Sequence, residues 1–453
     1  MPGPLRKLLV ANRGEIAVRV IRAARELGIT TVAVHSEADT DSLAVRLADE
    51  AMHIGPAPAS KSYLNVSAIL DAAAKSGADA IHPGYGFLAE NAAFAQAVEA
   101  AGLVFVGPTP ETIRVMGNKS LARDTAMKAG VPTVPGSVAV VDTVDQASRI
   151  ATSIGYPIMI KAAAGGGGRG IRVAASEGDL AQQMAVAQKE AMAAFGDKSV
   201  YLERFIRHAR HIEVQVLGDG TNVVHCYERE CSLQRRRQKI LEEAPSPALA
   251  PEVRERLCLS AVRLAQSVRY RGAGTIEYLY DDESHEFFFI EMNTRIQVEH
   301  PLTEMITGID LVREMIQIAG GKTLRLKQSD IAMRGAAIEC RINAEDPAKD
   351  FFPSPGKVGE ITLPGGPGVR IDSMLFAGYT IPPYYDSLLA KLVVHAEDRQ
   401  AAIARMKRAL GELRIEGPKT TRDLHLALMD EPQFLAARFD TNWLEGWLGQ
   451  RSA

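Results

Sequence analysis

Long hydrophobic runs are missing from the 453-residue chain: none reaches about 18 residues, the length a helix needs to span a bilayer, which argues against a membrane span. Cysteine is scarce. The four present, Cys226, Cys231, Cys258 and Cys340, are too few for a disulfide framework and too far apart for a zinc pattern, so they read as reduced thiols in a cytoplasmic protein. Cys226 and Cys231 in CYEREC could form a redox couple, but burial on a strand is the simpler account. Excess charge is missing as well. A net charge of -3 offers no bulk attraction for nucleic acid or an acidic membrane, so any polyanion must be held by individually placed Lys and Arg. The first turn, ANRGEIA, lacks the G-x-G-x-x-G spacing that lets backbone approach a dinucleotide pyrophosphate. No internal repeat, low-complexity tract or long linker interrupts the chain. The start, MPGPLRKLLVANRGEIA, enters a strand-turn-helix pattern within a few residues, which leaves no room for a signal or transit peptide.

What is present is a soluble globular composition, 46% apolar and 24% charged, in a chain long enough for two or three domains. Short apolar runs alternate with helical periods at first: KLLVA, EIAVRVIRAARELG, TTVAVH, LNVSAILDAAAKSG, AIHPG, ENAAFAQAVEAAG, LVFVGP. Such alternation predicts a parallel sheet with helices on both faces. A compact unit of strands and helices follows, with helix near 143–154, strands in YPIMIKAA, GIRVAA and SVYLERFI, and a glycine loop. From residue 210 the strands lengthen and alternate, as in HIEVQVLGDG and NVVHCYERECSLQ, which predicts a mostly antiparallel sheet. The last hundred residues mix short strands with helices at 398–412 and 420–430.

Three constellations carry chemistry. In GTIEYLYDDESHEFFFIEMN, a hairpin folded about Ser284 places Glu277 across from Glu291. Like charges opposite one another on a sheet are destabilising, and a cation between them explains both; with Asn293 they make an all-oxygen set suited to magnesium or manganese. Solvent-facing carboxylates, or a turn shifted by one residue, remain the alternative. In IKAAAGGGGRGIRV, Lys161 precedes four successive glycines whose ordering is entropically expensive. They close over phosphate oxygens or form a flexible lid, and they are not a Walker loop, since no G-K-[ST] follows. In SLQRRRQKILEEAP, Arg235, Arg236, Arg237 and Lys239 make a local positive pole that suits a small anion, unless Glu242 and Glu243 absorb it.

The segment FFFIEMNTRIQVEHP puts Glu291, Asn293, Arg295, Gln297 and Glu299 on alternate positions, hence on one face of an extended chain. Straight, it would set Glu291 and Glu299 roughly 26 Å apart, too far for one reacting atom. Either the segment bends after Arg295 or it carries two sites, suited to a phosphoryl donor beside a small anionic acceptor.

Taken together, ANRGEIAVRVIRAARELGI, HPGYGFLAEN, KAAAGGGGRGIRV, GAGTIEYL, FIEMNTRIQVEHPLTEMITGIDLV and ECRINAEDP resemble the biotin carboxylases, ATP-grasp enzymes, over about residues 5–447. The resemblance implies a chain that is α/β and α+β in class: a Rossmann-like N-terminal domain (1–116), an ATP-grasp domain (117–330) with a mobile lid near 135–205, and a mixed, β-rich C-terminal domain (331–450). It implies that ATP phosphorylates bicarbonate to carboxyphosphate, whose carbon dioxide is taken by N1' of biotin on a carrier protein. By the same likeness Lys119, Lys161, Gly166, Gly167 and Gly168 should meet ATP phosphates. Glu203, Arg204 and Ile206 should line the adenine pocket, with His211 and Gln234 also on the nucleotide. Glu277 and Glu291 should ligate Mg2+ or Mn2+, with Asn293 close by. Arg295, Gln297, the Val298 backbone and Lys239 should cradle bicarbonate, Glu299 should deprotonate it, Arg341 should stabilise the ureido oxygen of biotin, and Tyr85 should pack on biotin. A carboxylate beside Arg has a lowered pKa, so Glu299 should be ionised and ready to accept a proton.

One departure is Arg237, where the family usually has His; a permanently charged side chain there could change nucleotide affinity. AMKAG and RMKRA lack the second Met that flanks a biotinylated lysine in the relatives. The expectation is therefore a biotin carboxylase subunit, of acetyl-CoA carboxylase or a related acyl-CoA or pyruvate carboxylase. It should be a cytoplasmic homodimer working with a carrier protein and a carboxyltransferase, and should bind neither nucleic acid nor membrane. Another ATP-grasp carboxylate-amine ligase would share the metal carboxylates but not RIQVEH followed by ECRINAEDP. A non-catalytic regulatory subunit would be expected to lose Glu277, Glu291 or Glu299, and all three are present.

Overall fold

The computed structural model describes residues 4–137, 139–162 and 171–452. The chain forms two compact units, one of residues 1–131, 210–278 and 291–453, the other of 132–209 and 279–290. In the first unit, strands β1 (Lys7–Val10), β2 (Thr30–His35), β3 (Glu50–His53), β4 (Ala80–His82) and β5 (Val104–Phe105) form a parallel sheet in the order β3-β2-β1-β4-β5. Alternation within β1 sends Leu8 and Val10 into one core and Leu9 into another, as a sheet covered on both faces requires. Helix α1 (Gly14–Glu26) buries Ile16, Ala17, Val20, Ile21 and Ala24, an apolar stripe of helical period. Where a dinucleotide fold keeps glycine, Asn12 donates through Nδ2 to the Pro83 and Tyr85 carbonyls at 2.7 and 2.8 Å. A Cβ on Gly84 would lie 2.7 Å from that amide. Helix α2 (Lys119–Lys128) is capped by Asn118, whose side chain accepts from Leu121 N.

The second unit packs helices α3 (Val144–Ile154) and α4 (Glu177–Phe195) with an antiparallel sheet of β6 (Ile158–Ala162), β7 (Ile171–Ala174) and β8 (Val200–Arg204), ordered β7-β6-β8. Ala147, Ala151, Ile158, Ile160, Leu180, Met184 and Leu202 make its own core. Gly166, Gly167 and Gly168 lie outside the described residues.

The strands from residue 210 on include β9 (Ala209–Asp219), β10 (Val223–Arg235), β11 (Gln238–Ala244), β12 (Arg271–Asp281), β13 (Phe287–Asn293) and β14 (Ala336–Asn343), and the last hundred residues add β15 (Val369–Ser373) and β16 (Leu388–Ala396). They form one sheet in the order β13-β12-β9-β10-β11-β14-β16-β15. From the middle of this sheet Leu241, Cys340 and Leu392 join the core made with helix α6 (Arg399–Glu412) and helix α7 (Arg422–Leu428); the positions between them, Glu242, Glu339, Arg341 and Lys391, carry charge. All four cysteines are free and buried, in line with burial on a strand for Cys226 and Cys231. No described helix is long and apolar enough to cross a membrane.

The structure decides two alternatives left open by the sequence. The extended run ends at Asn293, and helix α5 (His300–Thr307) begins right after Glu299 with Pro301 in its first turn, where a missing N–H costs no helical bond. The segment therefore turns between the two carboxylates, and the five groups do not share one strand face. The β12–β13 hairpin is closed by Asp281 N to Glu286 O at 2.9 Å and His285 N to Asp281 O at 2.9 Å, so the turn runs from Asp281 to Glu286, and His285 takes its left-handed position at φ 57°.

Candidate active site

Lys239 is the hub. Its ammonium donates to Glu213 Oε2 at 2.6 Å, Glu277 Oε1 at 3.1 Å and Glu299 Oε1 at 2.6 Å. The other oxygen of Glu299 accepts from Arg341 Nη2 at 3.0 Å, while Arg341 Nε donates to Glu242 Oε1 at 2.6 Å. Burial by itself would raise the Glu299 pKa, but Lys239, Arg341 and Arg229 outweigh it and hold the carboxyl well below its ordinary range. The same contest, fought against Lys239 and His211, depresses Glu277. Asn293 Nδ2 and Gln297 Nε2 also donate to Glu277 Oε1, at 2.8 and 2.9 Å. Arg295 closes the ring, donating to Asn293 Oδ1 and Gln297 Oε1, both at 2.9 Å. Six of the residues singled out in the sequence thus make one connected cluster around the turn at 294–299, and Arg341 joins it through Glu299.

Of the basic run, only Lys239 enters this cluster. Arg235 and Arg236 pair with Asp350, and Arg237 is exposed at the tip of the β10–β11 hairpin. Glu242 and Glu243 do not absorb the run's charge; they pair with Arg341 and Arg399.

Glu291 stands beside the cluster. Its pKa is raised by burial and by the charge of Glu277, with Lys119 and His211 opposing. A half-buried carboxylate, Glu291, beside a second one, Glu277, in a setting of oxygen ligands, fits a hard divalent cation. Asn293 is less ready for it, because its oxygen already accepts from Arg295. His211 Nε2 lies 2.9 Å from Glu277 Oε2, and His211, Glu213 and Glu277 bring ligand atoms within 4.8 Å of one another; Glu213, however, is consumed by Lys239 and Arg229. Gln234 is buried with its amide on the Cys231 carbonyl at 2.8 Å. Lys119 opens α2 and is exposed. In the second unit, Lys161 on β6 is salt-bridged to Glu203 on β8, Arg204 Nη1 lies 3.2 Å from Glu286 Oε2, and Ile206 packs with Val134, Ala209 and Phe288. Tyr85 donates its hydroxyl to Glu15.

The description "Biotin carboxylase, N-terminal domain" matches residues 4–113, "Carbamoyl-phosphate synthase L chain, ATP binding domain" residues 118–327, and "Biotin carboxylase C-terminal domain" residues 339–446. Biotin carboxylase 1 of Bacillus subtilis is 55% identical over 442 residues, covering 97% of this chain and 98% of that one. The chain belongs to the biotin carboxylase family. The structural likeness is as broad: the biotin carboxylase domain of a thermophilic 2-oxoglutarate carboxylase, solved with bicarbonate, matches with a TM-score of 0.93 and 48% identity over 98% of both chains. The corresponding domain dimer from Hydrogenobacter thermophilus, solved with MgADP, ADP and bicarbonate, gives 0.87 and 50% over 98% of both chains. Biotin carboxylases are ATP-dependent ligases that carboxylate biotin, as subunits or domains of biotin-dependent carboxylases, and this chain is one of them.

Within this biotin carboxylase several residues of the cluster were not singled out in the sequence. Arg229 is fully buried and donates to Glu213 Oε1 at 2.6 Å, Gln215 at 2.9 Å and Thr303 at 2.7 Å. Lys391, also fully buried, reaches the Val298 carbonyl at 2.9 Å and Glu15 Oε2 at 3.0 Å. Glu90 accepts Arg295 Nε at 2.8 Å and Thr294 N at 3.1 Å. The Arg341 carbonyl accepts from Thr421 Oγ1 and His425 Nε2, each at 2.8 Å, and burial lowers the His425 pKa to about 4, keeping the ring neutral. The available signals were a lysine inside LLAKLVV and an arginine amid the alternation of CYEREC, since a long charged side chain on a central strand needs buried partners.

Proposed function

We propose that this chain transfers carbon dioxide from bicarbonate to N1' of biotin on a carrier protein at the expense of ATP, with the Lys239–Glu299–Arg341 cluster as the reacting centre. The observation that carries this reading is Glu299, fully buried yet bonded on both oxygens to cations. A carboxylate held so far down is ionised but weakly basic. Bicarbonate entering between Arg295, Gln297, the Val298 backbone and Lys239 draws part of the Lys239 charge to itself, which lets the Glu299 pKa rise as it takes the bicarbonate proton. The bicarbonate oxygen then attacks the γ-phosphate, forming carboxyphosphate and ADP. Breakdown of carboxyphosphate yields carbon dioxide and phosphate, the phosphate takes the N1' proton, and Arg341 meets the charge that develops on the ureido oxygen.

Glu277 and Glu291 would hold Mg2+ or Mn2+, with Asn293 close by, and the bound ion would supply positive charge to offset that of the phosphates. Lys119, Lys161 and the glycines 166–168 hold phosphates; Glu203, Arg204, Ile206, His211 and Gln234 bind the nucleoside end. Tyr85 packs on biotin. Domain limits at 116/117 and 330/331, a homodimeric state, a cytoplasmic location and a carboxyltransferase partner that chooses the acyl acceptor complete the proposal. Steady-state ADP release tests it: release should need bicarbonate and rise with free biotin, and E291Q should abolish it. Release indifferent to both additions would assign the ATP-grasp chemistry to another acceptor.

A further inference from the structure

Glu242 on β11 and Glu339 on β14 are direct cross-strand partners, and both are fully buried. One oxygen of Glu242 holds Arg341. Its other oxygen, Oε2, and both oxygens of Glu339 have no hydrogen-bond partner. Directly opposite residues have Cβ atoms about 5 Å apart on one face of the sheet, so two ionised carboxylates here would combine like-charge repulsion with three buried acceptors that lack donors. The cations nearby do not resolve this. Arg341 bonds Glu242 and Glu299, Lys239 is shared among three other carboxylates, and Lys391 bonds Val298 O and contacts Glu15.

A single proton relieves the repulsion and two of the three unpartnered oxygens. An O–H on Glu339 would supply a donor to Oε2 of Glu242 across the strand pair and remove the repulsion, leaving one Glu339 oxygen without a donor. The charged neighbours of the pair are Lys239 on β11, Arg341 on β14, Lys391 on β16 and Glu299 before α5; α5 adds His300, which burial and Lys391 keep neutral, and Glu304, which bonds Arg19 and Arg370. Burial pushes Glu242 up to about 7, with Arg341 opposing, and pushes Glu339 well above its ordinary range. We propose that Glu242 and Glu339 hold one proton between them, carried by Glu339, and that the ionised Glu242 is a positioning residue that sets the Arg341 guanidinium against Glu299. With one proton the pair carries one negative charge, so Arg341 stays between two anions, one on either side. Were both acids neutral, Arg341 would be drawn onto Glu299 alone.

The inference rests on the role of Arg341 in the proposed reaction, but its first test does not. Infrared spectra of the whole protein at neutral pH, with and without 13C-glutamate labelling, should contain the C=O stretch of a buried carboxylic acid that shifts on labelling and vanishes in E339Q. A wild-type spectrum without such a band, or a band that survives E339Q, overturns the shared proton. The second test is kinetic. E242Q should lower biotin-dependent kcat about tenfold while moving KM for ATP less than about twofold, with E242D recovering part of the loss. E242Q at wild-type kcat, or losing kcat and ATP affinity together without rescue by E242D, overturns the positioning role. If the substituted proteins fail to fold, the pH titration of the labelled wild-type band decides the proton alone. A wild-type protein inactive toward biotin would remove the parent reading while leaving the infrared result to be judged separately.

Discussion

At the scale of single residues, the site is a contest between burial and paired charge. Glu299 loses solvation entirely, yet Lys239 and Arg341 outweigh that loss, so its folded pKa lies below the unfolded value of about 4.3. The sign follows from linkage: a depressed carboxylate stabilises the fold above that unfolded pKa, and the contribution is lost as pH falls through the folded pKa. Replacing Glu299 with Gln should therefore lower Tm at pH 7, by an amount corresponding to about 3–5 kcal/mol for breaking a buried pair, and the gap to wild type should narrow on acidification below about pH 4. Thermal melts across pH check this; a gap that does not change with pH would show that Glu299 is not the ionised partner of Lys239. Arg229 extends the same logic. It is wholly buried and bonded to Glu213, Gln215, Thr303 and Thr275, so R229M should destabilise by about 3–5 kcal/mol, read from urea unfolding, because buried Glu213 loses a cationic partner. A loss under about 1 kcal/mol, the range of an exposed pair, would contradict the buried network.

At the scale of elements, register decides what the charges do. The β10–β11 hairpin pairs Arg235 with Gln238 around a two-residue turn, Arg236 at φ 48° and Arg237 at φ 65°, the left-handed geometry that two-residue hairpins favour and that glycine occupies without strain. R237G should stabilise the protein by about 1 kcal/mol, seen as a higher urea midpoint with an unchanged slope; a lower midpoint would mean that the Arg237 side chain makes stabilising contacts at the hairpin tip. This turn also explains which part of the site was legible. Alternation in HIEVQVLGDG and the short apolar run TTVAVH announced their strands because both signals are local, and Glu277, Asn293, Gln297 and Glu299 could be singled out as chemical. The run QRRRQK read as one positive pole because spacing along a chain does not reveal a tight turn, and that turn sends Arg235 and Arg236 to Asp350 and Lys239 inward. The partners of Lys391 and Glu90 were illegible for a related reason: Val298 and Arg295 lie 93 and 205 residues away.

At the scale of the whole molecule, the chain divides its work between two units with separate cores. The unit of 132–209 and 279–290 rests on a small cluster around Ile158, Ile160 and Leu202. The Lys239 cluster belongs to the other unit, whose β14 and β16 are backed by α6. I160A, which removes buried methyl groups worth about 2–5 kcal/mol, should raise amide exchange through β6, β7 and β8 while leaving β14 and β16 protected. Exchange rising equally in both would make the chain one cooperative unit. The alternation of strands and helices before residue 116 disclosed the parallel sheet, but the division of the chain was less plain in the sequence, since residues 279–290 join their unit from a distant stretch.

In the proposed reaction ATP, bicarbonate and biotin meet at the Lys239 cluster. Its most direct measurement uses 13C-bicarbonate, ATP, Mg2+ and free biotin, following label in the ureido-linked carboxyl group by NMR alongside ADP. Labelled carboxybiotin should form only when all the substrates are present, and E299Q and R341M should lose it with their folds intact. ADP formed without any labelled carboxybiotin, or label transferred equally well by R341M, would contradict the proposed reaction.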